Sequence, residues 1–162
     1  MAEKQNFKTN ALRILESMKI DYSLIKYEHN GEFAGGISIA DKLGESYAQV
    51  FKTIVTKGNS GEHYVFVLPV HKEIDFKLAA RAAGEKSMEM IKLTDLTKVT
   101  GYIRGGCSPI GMKKKFKTFI DKSCENFDKI MVSAGKVGYQ MELSPNDLIK
   151  AAQCSVIEIT QK

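Results

Sequence analysis

A mixed α/β domain of the α+β type, built on a largely antiparallel or mixed sheet, is what the pattern of this chain predicts. Strand-like segments outnumber helical ones, the strands are short, and several are joined by tight loops. A doubly wound parallel fold would instead alternate strand and helix through long crossovers. Taken in order, Thr9 or Asn10 is placed to cap a first helix, with Leu12, Leu15 and Met18 on one face. Tyr22 to Tyr27 alternates and is rich in β-formers, so it reads as a strand. Residues 36–44 carry a short helical pattern closed by Gly44, which suits a left-handed C-terminal cap. Val50–Thr56 and Tyr64–Val70 read as two strands, and the segment between them, Lys57–Glu62, has hairpin composition. Asp75 caps a helix that runs through Ala83 and is closed by Gly84. A short strand over Ser87–Met90 and a short helix over Thr94–Val99 follow. Phe116–Ile120, Lys129–Ser133 and Tyr139–Leu143 are predicted strands. Ser144 opens a last helix with Pro145 at its first position, and Ser155–Ile159 reads as a closing strand. No repeat, low-complexity tract or linker interrupts the pattern, so residues 1–162 are expected to form a single domain.

Composition narrows the function classes. The 162 residues are 43% hydrophobic and 27% charged, ordinary values for a soluble globular protein with a real core. No apolar run approaches the roughly 20 residues that span a bilayer. The polar start, Met1 to Asn6, lacks the apolar core of a signal peptide, so a cytoplasmic location and no membrane partner are expected. Three widely spaced cysteines, Cys107, Cys124 and Cys154, argue against a disulfide framework and a structural zinc site. No metal or other cofactor is expected. The net charge of +5 fits an RNA or phosphate partner without demanding one.

Two glycine-rich turns stand out in a chain with 13 Gly and 3 Pro. The first is Gly105-Gly106-Cys107-Ser108-Pro109-Ile110-Gly111, and the second is Ser133-Ala134-Gly135-Lys136-Val137-Gly138. Glycine permits positive φ and close backbone approach, so such loops can direct several N–H groups into one cavity. That array suits a carboxyl, a phosphate or a developing oxyanion; the plain alternative is a structural bend. Lys52 lies inside the apolar strand Val50-Phe51-Lys52-Thr53-Ile54-Val55, where alternation places it with Val50 and Ile54. A partly desolvated lysine there either meets an anion or guards a sheet edge. Tyr27-Glu28-His29 ends the first strand, and His63 and His71 flank a later one. Pairing Cys107 with one of these histidines would make a thiol nucleophile, but no local signature supports it, and free cysteines usually serve packing. Lys113, Lys114, Lys115 and Lys117 form the densest positive stretch, either a solvated face or a contact surface for a nucleic-acid backbone.

Together these segments resemble the YbaK/EbsC family of aminoacyl-tRNA deacylases, in particular its Cys-tRNA(Pro)-clearing branch. The resemblance runs from Thr9-Asn-Ala-Leu-Arg-Ile-Leu15 through Tyr27-Glu-His29, Val50-Phe-Lys-Thr53, Gly101-Tyr102 and Gly105–Gly111 to Val132–Gly138. It implies a six- or seven-stranded, mixed, barrel-like sheet with peripheral helices. It also implies that Lys52, Gly105, Gly106 and Ser108 form the catalytic set. Tyr27, Pro109, Gly111, Ser133, Gly135, Lys136 and Gly138 would bind the substrate, while Lys113, Lys114, Lys115 and Lys117 would hold tRNA. The expected partners are the tRNA acceptor end and, by the same resemblance, prolyl-tRNA synthetase. The implied activity is trans-editing hydrolysis of mischarged Cys-tRNA(Pro), in which the substrate's own thiol attacks its ester. An aminoacyl ester is already activated, so positioning and oxyanion stabilisation suffice without a triad. Deacylation of another small aminoacyl-tRNA, such as Ala-tRNA(Pro), and a non-catalytic aminoacyl or nucleotide-binding regulator are the competing readings. The chain departs from the family pattern at Ala134, where a second glycine is common, and at Gln140, where relatives carry an acidic residue. A pocket phenylalanine of relatives has no counterpart in register, Phe33 being the nearest.

Overall fold

In the computed structural model, which describes residues 8–29 and 35–162, local signals set most element boundaries. Helix α1 (Asn10–Ser17) begins where extended Thr9 accepts a hydrogen bond from Leu12 N at 3.2 Å, and it buries Ala11, Leu12 and Leu15. Strand β1 (Ser23–Lys26) follows, then α2 (Gly36–Leu43), closed by Gly44 at φ 66°. Strands β2 (Phe51–Gly58) and β3 (His63–Pro69) form an antiparallel hairpin. Asp75 caps α3 (Phe76–Ala83) by accepting from Lys77 N and Leu78 N. Then come β4 (Met88–Met90), α4 (Leu93–Thr100), β5 (Lys117–Asp121), β6 (Ile130–Ser133) and β7 (Tyr139–Leu143). Ser144 caps α5 (Pro145–Ala152), and β8 (Cys154–Ile157) closes the chain. Each of these lies within a few residues of its sequence expectation. A 3-10 turn at Lys122–Asn126 was not foreseen; it is started by Asp121, whose carboxylate accepts from Ser123 N.

The strands form two sheets among the described residues, one ordered β1-β7-β6 and one ordered β4-β2-β3-β5-β8. Pairings are antiparallel except for β3 with β5 and β5 with β8, so the sheet content is mixed and mostly antiparallel, as expected. The mixed, mostly antiparallel sheet expected with six or seven strands in a barrel-like form is divided, among the described residues, into these two sheets of three and five strands, with no closed barrel there. The physical reason lies at β2. One parallel bridge, Val50 to Met131, joins the sheets there, with Met131 N donating to Gln49 O at 2.9 Å. Strand β4 pairs with β2 only from Thr56 onward, so β2 has an open edge between those points. Val50 O accepts from Val70 N on the β3 side, while Gln49 O and Val55 O accept from Met131 N and Ile91 N on the other. Alternation therefore turns the main-chain groups of Phe51 and Thr53 toward the open side.

The main core lies between the sheets. Phe51, Val55, Val65, Val67 and Ile120 from one face meet Ile130, Val132, Met141 and Leu143 from the other, sealed by Leu12 and Leu15 of α1 and Leu148 of α5. Ala79 and Ala80 of α3 cover the outer face of the five-stranded sheet, against Phe66 and Phe119, which stack at 5.1 Å. Ala40 of α2 packs on Val50, Val70 and Met131. Burial on both faces makes β3 a continuous apolar run, while β2 keeps one half-buried lysine.

Candidate active site

The two glycine-rich turns are pressed together. A Cβ on Gly106 would lie 3.0 Å from Val137 N and 3.2 Å from Lys136 Cα, so only glycine permits this backbone approach. Fastenings from distant parts of the chain hold the pair in place. Asn10 Nδ2 donates to Gly111 O at 2.7 Å, and Thr9 Oγ1 donates to Ala134 O at 2.5 Å, so the start of α1 grips both turns. The buried Tyr102 hydroxyl donates to Ile110 O at 2.6 Å. Some donors are consumed inside the loops. Gly106 N donates to Ile103 O, Ile110 N to Ser108 Oγ, and Gly135 N to Ser133 Oγ.

Beside the first turn, along the open edge of β2, lies a cavity of about 480 Å³. Lys52, Thr53, Gly105, Cys107, Ser133 and Gln140 give it polar character, while Ile39, Val70, Ile91 and Leu96 wall it with apolar surface. Its border also carries the exposed side chains of Met90 (51% exposed) and Leu93 (60%), together with Arg104. Four buried side-chain polar atoms of the described residues lack a hydrogen-bond partner: Tyr27 Oη, Thr53 Oγ1, Ser123 Oγ and Gln140 Oε1. Thr53 and Gln140 both line this cavity. Tyr27 shares a sheet face with Gln140, because Gln140 is paired with Ile25 two residues before it. Natively buried polar groups are nearly always satisfied, so the unpartnered atoms of Thr53 and Gln140 are open to a ligand or to ordered water.

Electrostatics point the same way. Lys52 shares its face with Val50 and Ile54 and stands across from Leu68. Burial lowers its pKa below the ordinary lysine value, and Glu73, 3.9 Å from Nζ, only partly opposes this. The described lining holds two cations, Lys52 and Arg104, and no carboxylate. Burial pushes the Cys107 thiol up to about 11, so it stays protonated at neutral pH, and no histidine is among the lining residues. The Cys–His pairing considered from the sequence is therefore not assembled there. No group of three or more His, Cys, Asp or Glu side chains able to hold a metal ion occurs among the described residues.

The residues singled out by sequence divide among several places. Lys52, Gly105 and Ser133 border the cavity. Gly106 lies against the second turn. Ser108 does not border the cavity: it is fully buried, its hydroxyl accepting from Ile110 N at 3.3 Å. Pro109 and Gly111 border a separate depression of about 210 Å³. Tyr27 is buried, and its N–H donates to Gly138 O at 2.9 Å. Lys136 holds its ammonium 5.9 Å from the Tyr139 ring. Lys113, Lys114, Lys115 and Lys117 are exposed; Lys113 reaches Lys98 O, and the other three line a polar depression with His63 and Phe116. Phe33 lies outside the described residues. Sequence reasoning did not single out Thr53 or Arg104 as cavity residues, nor Asn10 and Tyr102 as fastenings. Asn10, Thr53 and Tyr102 fall inside segments that the sequence singles out and Arg104 does not, but nothing in the sequence signals that Asn10 reaches a carbonyl 101 positions away.

Known proteins resemble this chain in sequence and in fold. The model of the aminoacyl-tRNA editing domain matches residues 37–151. A protein of Enterococcus faecalis described as a candidate Cys-tRNA(Pro)/Cys-tRNA(Cys) deacylase, EbsC, is 42% identical over 160 residues, 99% of this chain and 98% of its own. A solved structure described as a candidate trans-editing enzyme for prolyl-tRNA synthetase shares the fold at 16% identity, with a TM-score of 0.81 over 97% of this chain and all of its own. A hypothetical protein of known structure matches with a TM-score of 0.86 at 20% identity, over 94% of this chain and all of its own.

Proposed function

The chain belongs to the aminoacyl-tRNA editing family, and from that premise we propose that it hydrolyses mischarged Cys-tRNA(Pro) in trans. The observation that supports this most is the cavity itself: a desolvated lysine and unpartnered polar atoms beside a clamped glycine-rich turn. Lys52, protonated, holds the phosphate or ribose of the terminal adenosine and keeps the ester in place. The N–H groups of Gly105 and Cys107, the loop residues that border the cavity, receive the carbonyl oxygen as it becomes an oxyanion. Ser133 and Tyr27 orient the amino acid or sugar through their hydroxyls. The substrate's thiol sulfur attacks its own ester carbon; the C–O bond to ribose breaks and the ribose hydroxyl leaves with the thiol proton. The product is a cyclic thiolactone that water opens. A protonated Cys107 is no competitor for that role.

This chemistry also accounts for selectivity. A pocket distinguishes one methylene by only about 1–3 kcal/mol, whereas a side chain without a suitably placed thiol lacks the reaction altogether. Lys113, Lys114, Lys115 and Lys117 attract the phosphate backbone of tRNA. Prolyl-tRNA synthetase in the cytoplasm is the partner that supplies the substrate.

The test is hydrolysis of Cys-tRNA(Pro), Ala-tRNA(Pro) and Pro-tRNA(Pro) by wild type and Lys52→Ala. Release of cysteine alone, reduced at least 100-fold in the variant, is the expected outcome. Preference for alanine would move the substrate within the family, and inactivity on all three would favour a regulatory binder.

A further inference from the structure

We propose that Gln140 is a specificity-determining residue: its side-chain oxygen, with Thr53 Oγ1, accepts the N–H of the α-amino group of the bound aminoacyl ester. The inference rests on the deacylase reading for the identity of the ligand. Gln140 is the second residue of β7, the central strand of its sheet, and is paired with Ser133 of β6 on one side and Ile25 of β1 on the other. That double pairing fixes its main chain, so its side chain leaves the sheet from a rigid position. The residue is only 4% exposed and lines the cavity, yet Oε1 has no hydrogen-bond partner. Thr53 belongs to the other sheet, on the open edge of β2, and its Oγ1 is likewise buried without a partner. Two unsatisfied oxygens from two sheets thus converge on one cavity.

The donors already in the lining do not serve them. Lys52 and Arg104 carry positive charge and match the acceptor-rich parts of the substrate, its phosphate and its ester carbonyl. What remains for two neutral acceptors is a donor, and the strongest donor at the amino-acid end of the ester is the α-amino group. A buried acceptor left empty by a ligand lacking that donor weakens binding, which makes the pair selective for α-amino acyl groups over acyl groups without the amine.

The experiment uses the full chain and two non-hydrolysable ligands, 3′-deoxy-3′-(L-cysteinylamino)adenosine and its 3-mercaptopropionyl counterpart, which lacks only the α-amino group. Affinities are measured by NMR titration for wild type, Gln140→Leu and Gln140→Glu. Wild type is expected to bind the desamino ligand roughly tenfold more weakly, as loss of one buried hydrogen bond implies. Gln140→Leu should lose most of that discrimination by binding the cysteinyl ligand more weakly, Thr53 Oγ1 alone remaining to accept, and Gln140→Glu, which restores an acceptor of the same reach, should recover it. Undiminished discrimination in Gln140→Leu, or an equal loss for both ligands, would overturn the assignment, as would absence of discrimination in wild type. If Gln140→Leu loses the discrimination that wild type shows but wild type leaves Cys-tRNA(Pro) uncleaved, the deacylase reading falls and the role of Gln140 stands.

Discussion

At the scale of single residues, Lys52 is where two opposing effects meet. Removal from water disfavours its charged form, and the carboxylate of Glu73 favours it, with burial the larger influence. Its midpoint should therefore fall below 10.5 in an NMR titration of the side-chain methylene signals. Glu73→Gln should lower it further, because the carboxylate that raises it is gone. A lysine with a depressed midpoint in the folded state is a cost to folding while it stays protonated. That cost is present below the folded midpoint and is relieved as pH rises through the window up to 10.5, where the unfolded chain binds more protons. On the role proposed for Lys52, the charge that would position the substrate disappears over the same window. Cys107 behaves differently: burial holds its thiol near 11, so Cys107→Ser should retain kcat/KM for Cys-tRNA(Pro) within severalfold. Loss of all activity would instead assign the nucleophile to the protein.

At the scale of elements, the site depends on contacts between turns and on the helix that clamps them. The Cβ that Gly106→Ala adds would lie 3.0 Å from Val137 N and must push it away by a few tenths of an ångström, and backbone does not yield as a flexible side chain does. This substitution should cost about 1–3 kcal/mol in denaturant unfolding and lower activity at least tenfold, since overpacking displaces both turns. Ser144→Ala removes the cap of α5, which accepts from Asp147 N at 3.1 Å away from the cavity. Its expected effect is a loss of about 1 kcal/mol in stability with kcat/KM unchanged, which separates a general stability effect from damage to the site. Element positions were largely legible because their signals are local: Thr9, Asp75 and Ser144 cap helices, and Gly44 and Gly84 close them. The 3-10 turn at Lys122–Asn126 was not legible, because a single tight turn carries no periodicity, and its Asp121 also accepts from Ile159 N, a partner far along the chain.

At the scale of the whole molecule, the tRNA-binding role proposed for Lys113, Lys114, Lys115 and Lys117 would act through their field rather than through a pocket. Lys114 and Lys115 are both exposed and border two depressions at the foot of β5. Replacing both by glutamine should reduce the slope of log affinity for tRNA against log salt by nearly two, with hydrolysis at saturating tRNA retained. An unchanged slope would make the run an ordinary solvated surface. The sequence by itself determined the α+β class, the order of helices and strands, the family, and the glycines and lysine that draw attention to one region. These follow from periodicity, capping chemistry and motif order, all of which act over a few residues. Tertiary structure alone decided that the strands divide into two sheets meeting at one bridge, Val50 with Met131, rather than closing into a barrel. It also decided that Thr53 and Gln140, not Ser108, stand at the cavity. Alternation tells which strand positions share a face, but which of the two faces is covered by core and which is left open depends on packing between segments distant in the chain.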